Sequence, residues 1–388
     1  MKYNFDELAE RRHTYSVKWD YKPNTLPMWV ADMDFKAPKE VIDALHKRVD
    51  IAAFGYSMIP DAFFEAIRDY FSKYHQVEFK KEWMIFTIGI IPAISSMVRS
   101  LTNVGDNVVL LSPVYNTFYN SIRNNKRTIL TSDLIYENET FKIDYDDLEK
   151  KLALSNTSML IFCNPHNPIG YIWDQKTLDN IAALCKKHNV ILLSDEIHCD
   201  LVDPGYEYVP LFKNKKNLEN AVTLIAGGKA FNIAGLQSAC IIIPDDDLRK
   251  KADRAFNNDE VAEPNFFAIE ANVVAYSKCR DYVVELNQYI YQNKEYFKNY
   301  LKENLPLLKC VSGHATYLLW VDISHYHMPS EEFCEKLCFD TGLFVTGGIE
   351  YGLNGDSFFR INMATSLANV KDACLRLNSF IKKLEAKN

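Results

Sequence analysis

What most constrains this chain is an alternation. Seven short runs rich in apolar and β-branched residues, at 84–87, 108–111, 128–130, 159–162, 190–193, 222–225 and 239–243, are set among amphipathic stretches of helical period. In the stretch 178–188, Leu178, Ile181, Ala182 and Cys185 fall on one helical face. Strand and helix patterns that alternate in this way argue for α/β layers, with helices covering a single large sheet. After about residue 265 the pattern turns mostly helical. A long tract over 266–305 stops near Pro306, short strands are expected at 317–321 and 358–362, and a closing helix at 367–384. That is the outline of a smaller α+β domain. Pro23, Pro27 and Pro38 prevent the first forty residues from forming one helix, so they are expected to wrap. The expected division is an N-terminal segment 1–45 packing with the small domain, a large domain 46–285 and a small C-terminal domain 286–388.

Composition narrows the function classes. With 388 residues, 48% of them hydrophobic, the chain has material for a sizeable core. A net charge of −7 with scattered basic residues predicts no nucleic-acid surface. The N-terminus shows no apolar signal region, and no apolar run approaches the ~20 residues of a membrane helix, so a cytoplasmic protein without membrane contact is expected. Nine cysteines include no Cys-x-x-Cys pair and read as reduced core residues, not metal ligands.

Ligands of open α/β sheets gather where strands end, and here the strand ends carry chemistry. Asp195 follows the run 190–193 in Ser194-Asp195-Glu196-Ile197-His198, and Lys229 follows the run 222–225 in Ala226-Gly227-Gly228-Lys229-Ala230-Phe231-Asn232. A buried primary amine with a fixed carboxylate nearby suits pyridoxal 5′-phosphate (PLP): the amine forms a Schiff base with the aldehyde, and the carboxylate keeps the pyridine nitrogen protonated. After 84–87 comes Gly89-Ile90-Ile91-Pro92, where glycine permits close approach, Pro92 suits a first helical turn, and free N–H groups are able to hold a phosphate. Tyr115 in Ser112-Pro113-Val114-Tyr115 offers a ring face. In Asn164-Pro165-His166-Asn167-Pro168-Ile169-Gly170 the prolines fix φ, holding Asn167 rigidly toward a phenolic oxygen.

Taken in this order, Asn167, Asp195 and Lys229 resemble the fold-type I PLP enzymes of the aminotransferase class I/II superfamily. Three further segments sharpen the likeness: Leu26-Pro27-Met28-Trp29-Val30-Ala31-Asp32-Met33-Asp34-Phe35, Pro165-His166-Asn167-Pro168 and Lys229-Ala230-Phe231-Asn232-Ile233-Ala234-Gly235-Leu236-Gln237. With them the chain is most similar to the cystathionine β-lyase-like C–S lyases of the MalY/PatB type. The resemblance implies fold type I, with a seven-stranded, mostly parallel sheet. It also implies that Lys229 carries the Schiff base and then acts as base at the α-carbon, that Asp195 binds the pyridine nitrogen and that Asn167 binds the 3′-oxygen. Tyr115 would stack on the ring, His198 would join the cofactor site, and Gly89, Ile90 and Ile91 would supply phosphate-binding backbone. Arg360, in Phe358-Phe359-Arg360-Ile361-Asn362, would grip the substrate α-carboxylate, and Tyr56 would reach the phosphate of a neighbouring subunit, so a homodimer is expected.

Two departures stand out. Gly228 occupies the place of a serine usual just before the lysine, and Ala315, in Gly313-His314-Ala315-Thr316-Tyr317, takes a usual glycine position. His198 and Gln237 stand where many aminotransferases have tyrosine and arginine. The implied activity is β-elimination from cystathionine or a related sulfur amino acid to thiol, pyruvate and ammonia. An aminotransferase and a PLP-binding regulatory protein are the alternatives.

Overall fold

The computed structural model describes residues 2–386. Seven strands form its large sheet: β1 (Met84–Thr87), β2 (Asn107–Ser112), β3 (Thr128–Asp133), β4 (Thr157–Cys163), β5 (Ile191–Asp195), β6 (Ala221–Ile225) and β7 (Ala239–Ile242), in the order β1-β7-β6-β5-β4-β2-β3. Only β7 runs against its neighbours; every other pairing is parallel. The expected fold class, a seven-stranded and mostly parallel sheet with helices, is thus the observed one.

Strand residues alternate between two faces, and both faces are buried. Val108 and Leu110 join one apolar cluster with Met159, Ile161 and Val222. Val109 and Leu111 join the other with Leu160, Phe162 and Leu192. This is why the runs read as continuously apolar. The ladder also carries several strands past their apolar runs: Cys163 pairs with Asp195, and Asp195 with Leu224. The helix Gln175–Lys187 begins where the Asp174 side chain accepts from Thr177 N–H, and it buries Leu178, Ile181, Ala182 and Cys185 against the sheet side.

The helical tract after residue 265 differs from expectation, being two helices, Ala268–Lys278 and Arg280–Asn304. Cys279, fully buried, leaves helical geometry at φ −109° and ψ 24°, and Arg280 beyond it pairs with buried Asp200 at 3.1 Å. Apolar periodicity does not register a one-residue break of this kind. Four short strands, Lys309–Cys310, Leu318–Asp322, Phe358–Asn362 and Thr346–Gly347, make an antiparallel second sheet. It shares an apolar cluster with the helices Arg280–Asn304, Ser330–Thr341 and Leu367–Glu385.

The N-terminal segment touches both cores. Leu26–Pro27 pairs in parallel with Leu343–Phe344, and Leu26 and Met28 enter the small-sheet cluster, whereas Phe5, Met33 and Phe35 enter the large one. Ala315 fits without strain, its N–H donating to Gly170 O at 2.9 Å. The residue that must be glycine there is Gly313, where a Cβ would lie 2.4 Å from Ile169 O. No helix among the described residues is long and apolar enough to cross a membrane.

Candidate active site

Strand direction decides where the chemistry collects. β1, β2, β4, β5 and β6 all point the same way, so Thr87, Ser112, Cys163, Asp195 and Ile225 end at one edge of the sheet. β7 begins at that edge, with Ala239 opposite Thr87. The edge frames a cavity of about 280 Å³, into which the loops after these strands bring Gly89, Ile90, Ile91, Tyr115, Asn167, Asp195, His198 and Lys229. Arg360, on the small sheet, joins them from behind: its Nη1 donates to Asn167 Oδ1 at 3.1 Å and its Nη2 to Trp29 O at 2.9 Å. Arg360 is 4% exposed, and its guanidinium also lies over the Tyr351 ring at 4.7 Å. Tyr56 alone stands apart from the cavity, fully exposed on an irregular stretch.

The electrostatics are those of a desolvated pocket. Lys229 Nζ donates to Ala31 O at 2.5 Å, so its hydrogen-bond partner is a carbonyl and not a carboxylate. Burial lowers the Lys229 amine; the Asp32 charge opposes this, Arg360 adds to it, and Asp195 opposes it more weakly. Burial pushes the Asp195 carboxyl up to about 7, against the pull of the Ile197 N–H and of Lys229. His198 is held down to about 3, by burial first and then by the Lys229 and Arg360 charges, so its imidazole is neutral at ordinary pH.

These residues fit PLP. Asp195 is 3% exposed and its side chain accepts one hydrogen bond, from Ile197 N–H at 3.1 Å. Such a carboxylate is matched by a protonated ring nitrogen, which would also stabilise its charge. At the other side of the cavity Gly89, Ile90 and Ile91 open the helix Ile90–Leu101, whose first N–H groups have no intrahelical partner and suit a phosphate. The half-buried Tyr115, ahead of the helix Asn116–Asn124, presents a ring at the same cavity.

Three cavity groups escaped the sequence reading. Ala31 contributes only a backbone carbonyl, which no side-chain pattern announces. Cys163 ends β4 in register with Asp195, and its place at a strand end was the available signal. Ser238 lies just before β7; because β7 is antiparallel, its start and not its end faces the site.

A mostly parallel sheet whose carboxyl edge gathers an unpaired amine, a buried carboxylate and a helix N-terminus defines the class of enzymes that hold PLP at such an edge. The chain belongs to the aminotransferase class I and II family, whose pattern matches residues 26–377. Over 97% of its length it is 36% identical to the whole of cystathionine beta-lyase PatB of Bacillus subtilis (strain 168). It is 29% identical to protein MalY of Escherichia coli (strain K12), over 93% of this chain and 94% of that one. Among solved structures, cystalysin of Treponema denticola, which contains PLP, superposes with a TM-score of 0.96 at 30% identity, over 99% of this chain and 100% of that one.

Proposed function

We propose that this chain is a PLP-dependent carbon–sulfur lyase, which eliminates the thiol from cystathionine or a related cysteine-derived amino acid and yields pyruvate and ammonia. The observation that carries the reading is a convergence on one cavity: the Lys229 amine, the Asp195 carboxylate and, behind Asn167, the Arg360 guanidinium. The 36% identity to a cystathionine β-lyase supports the choice of reaction.

Bound PLP supplies an aldehyde for the substrate amine and an electron sink for Cα. Arg360 pairs with the α-carboxylate through its two-pronged guanidinium, fixing the substrate so that Cα–H faces Lys229. Lys229, its amine lowered by burial, takes that proton. The Cβ–S bond then breaks with its electron pair left on sulfur, and Lys229 returns the proton to the thiolate. Released aminoacrylate takes up water to give pyruvate and ammonia. Bound PLP would be held by the Asp195 carboxylate accepting from the protonated ring nitrogen, by Asn167 donating to the phenolic oxygen and by Tyr115 covering one ring face. His198, neutral, adds no charge to compete with Arg360.

The same proposal includes the division at residues 1–45, 46–285 and 286–388, a cytoplasmic homodimer, and Tyr56 reaching the phosphate in its partner's site. Exposed Phe54, Tyr56 and Met58 on one irregular stretch support the dimer.

A product assay tests the reaction class. Purified protein with PLP and L-cystathionine is expected to release homocysteine, pyruvate and ammonia over many turnovers with no keto acid added. Turnover from cystathionine, cystine and cysteine that stalls until a keto acid is supplied would overturn the lyase in favour of an aminotransferase.

A further inference from the structure

Gly228 brings no hydroxyl to the phosphate side of the cavity, and a Cβ there would already lie 3.1 Å from Ala234 Cα. A hydroxyl is nevertheless present at that side, from the other direction of the chain. β7 pairs with β1 so that Cys240 faces Phe86 and Ala239 faces Thr87. One residue further along this register, Ser238 lies beside Ile88, the residue just before Gly89 and the helix Ile90–Leu101. Ser238 is 8% exposed and lines the cavity.

Its hydrogen bonding leaves it one free function. Asn272 Nδ2 donates to Ser238 Oγ at 2.6 Å and to Ala268 O at 2.8 Å. Asn272 is itself only 2% exposed, so both amide hydrogens are committed and the amide is fixed in orientation. A serine hydroxyl that accepts in this way keeps its own hydrogen to donate. We infer that Ser238 is a phosphate ligand of the cofactor, supplying from the head of β7 the hydroxyl that position 228 lacks, with Asn272 as the residue that orients it.

The inference rests on the fit to PLP and not on the lyase reading, since an aminotransferase would use the same ligand. The test compares PLP with pyridoxal, which lacks the phosphate. The full-length chain is stripped of cofactor and titrated with each, following protein fluorescence. Loss of a hydrogen bond to a charged group should make Ser238→Ala bind PLP roughly ten- to a hundred-fold more weakly, with pyridoxal affinity where it was. Ser238→Cys, which keeps the size and a weaker donor, should lower the PLP-to-pyridoxal affinity ratio in the same direction by less. If the two affinities fall together, or neither falls, Ser238 merely ties β7 to the helix Ala268–Lys278 and the inference is overturned. Failure of the unmodified chain to bind either compound would instead sink the fit to PLP.

Discussion

Lys229 and Lys294 are two enclosed lysines whose amines burial pushes below their ordinary range, and their surroundings alone tell them apart. Lys294 Nζ sits 2.6 Å from Asp203 Oδ1, with side-chain exposures of 0% and 3%. Lys18 repeats the arrangement, 2.9 Å from Asp34, to which Trp19 Nε1 also donates at 2.7 Å. Both pairs join distant parts of the chain or fix a wrapped segment, and each ammonium has its counter-ion in contact. Lys229 has a carbonyl in contact and acids only at longer range, and it opens onto a cavity. A lowered amine is therefore common to a structural lysine and a reactive one. The absence of a contacting carboxylate and the open face separate them, because only an amine free of its counter-ion is available to a substrate.

Substitution should split the two lysines cleanly, and the largest effect belongs to Lys229. Lys229→Ala is expected to remove the borohydride-reducible link to PLP and to lower turnover by at least roughly 10²–10⁴-fold, the usual share of a positioned proton-transfer group. A reducible link persisting on another lysine would break the comparison. Lys294→Met should do the opposite: it leaves Asp203 buried without its partner, so unfolding in urea should show a loss of about 3–5 kcal/mol, with the link at Lys229 intact. Unchanged stability would mean that His314, whose Nδ1 is 3.5 Å from Asp203, takes over as the counter-charge. Asp195→Ala ranks third. Without the carboxylate the ring nitrogen loses a charged hydrogen bond of about 1.5–3 kcal/mol, so kcat should fall at least roughly tenfold with PLP saturating. Near-normal kcat under those conditions would place the ring nitrogen elsewhere.

What was legible in the sequence follows the same physical line. The inner strands were readable because both faces of the sheet are buried there, so each is apolar along most of its length and the polar residues at or just past its end stand out, as Asp195 and Lys229 do; the edge strand β3, half exposed, announced itself only by Ile129 and Leu130. The break at Cys279 was invisible because the apolar spacing of the tract runs through it. Ala31 acts through its backbone, and Ser238 depends on strand direction, which composition does not encode. The difference between Lys229 and Lys294 was also hidden: each is a lysine near apolar residues, and their partners Asp203, Ala31 and Asp32 are supplied by distant segments.

The smallest effect sharpens the comparison most, since it concerns range and not contact. Asp32 follows Ala31 on the loop that meets the Lys229 amine, and its carboxylate, 28% exposed, is paired with Arg11 at 2.6 Å. Its charge favours the protonated form of Lys229. Replacing Asp32 by Asn removes that charge, keeps the shape, and leaves Arg11 unpaired nearby, and both changes disfavour the ammonium. The amine's pKa should therefore fall further. Substrate displaces Lys229 from its link to PLP before proton abstraction, which needs the neutral amine, so the acid limb of the kcat profile should move to lower pH, while Lys294→Met should leave that limb in place. A pH–rate series on the two variants, at fixed ionic strength because a part-exposed charge is screened by salt, checks the pair of outcomes. If the limb stays fixed in Asp32→Asn, Arg11 already cancels the Asp32 field, and Lys229 owes its lowered amine to burial and Arg360 alone; a limb that moves to higher pH would overturn the assigned sign of the Asp32 charge.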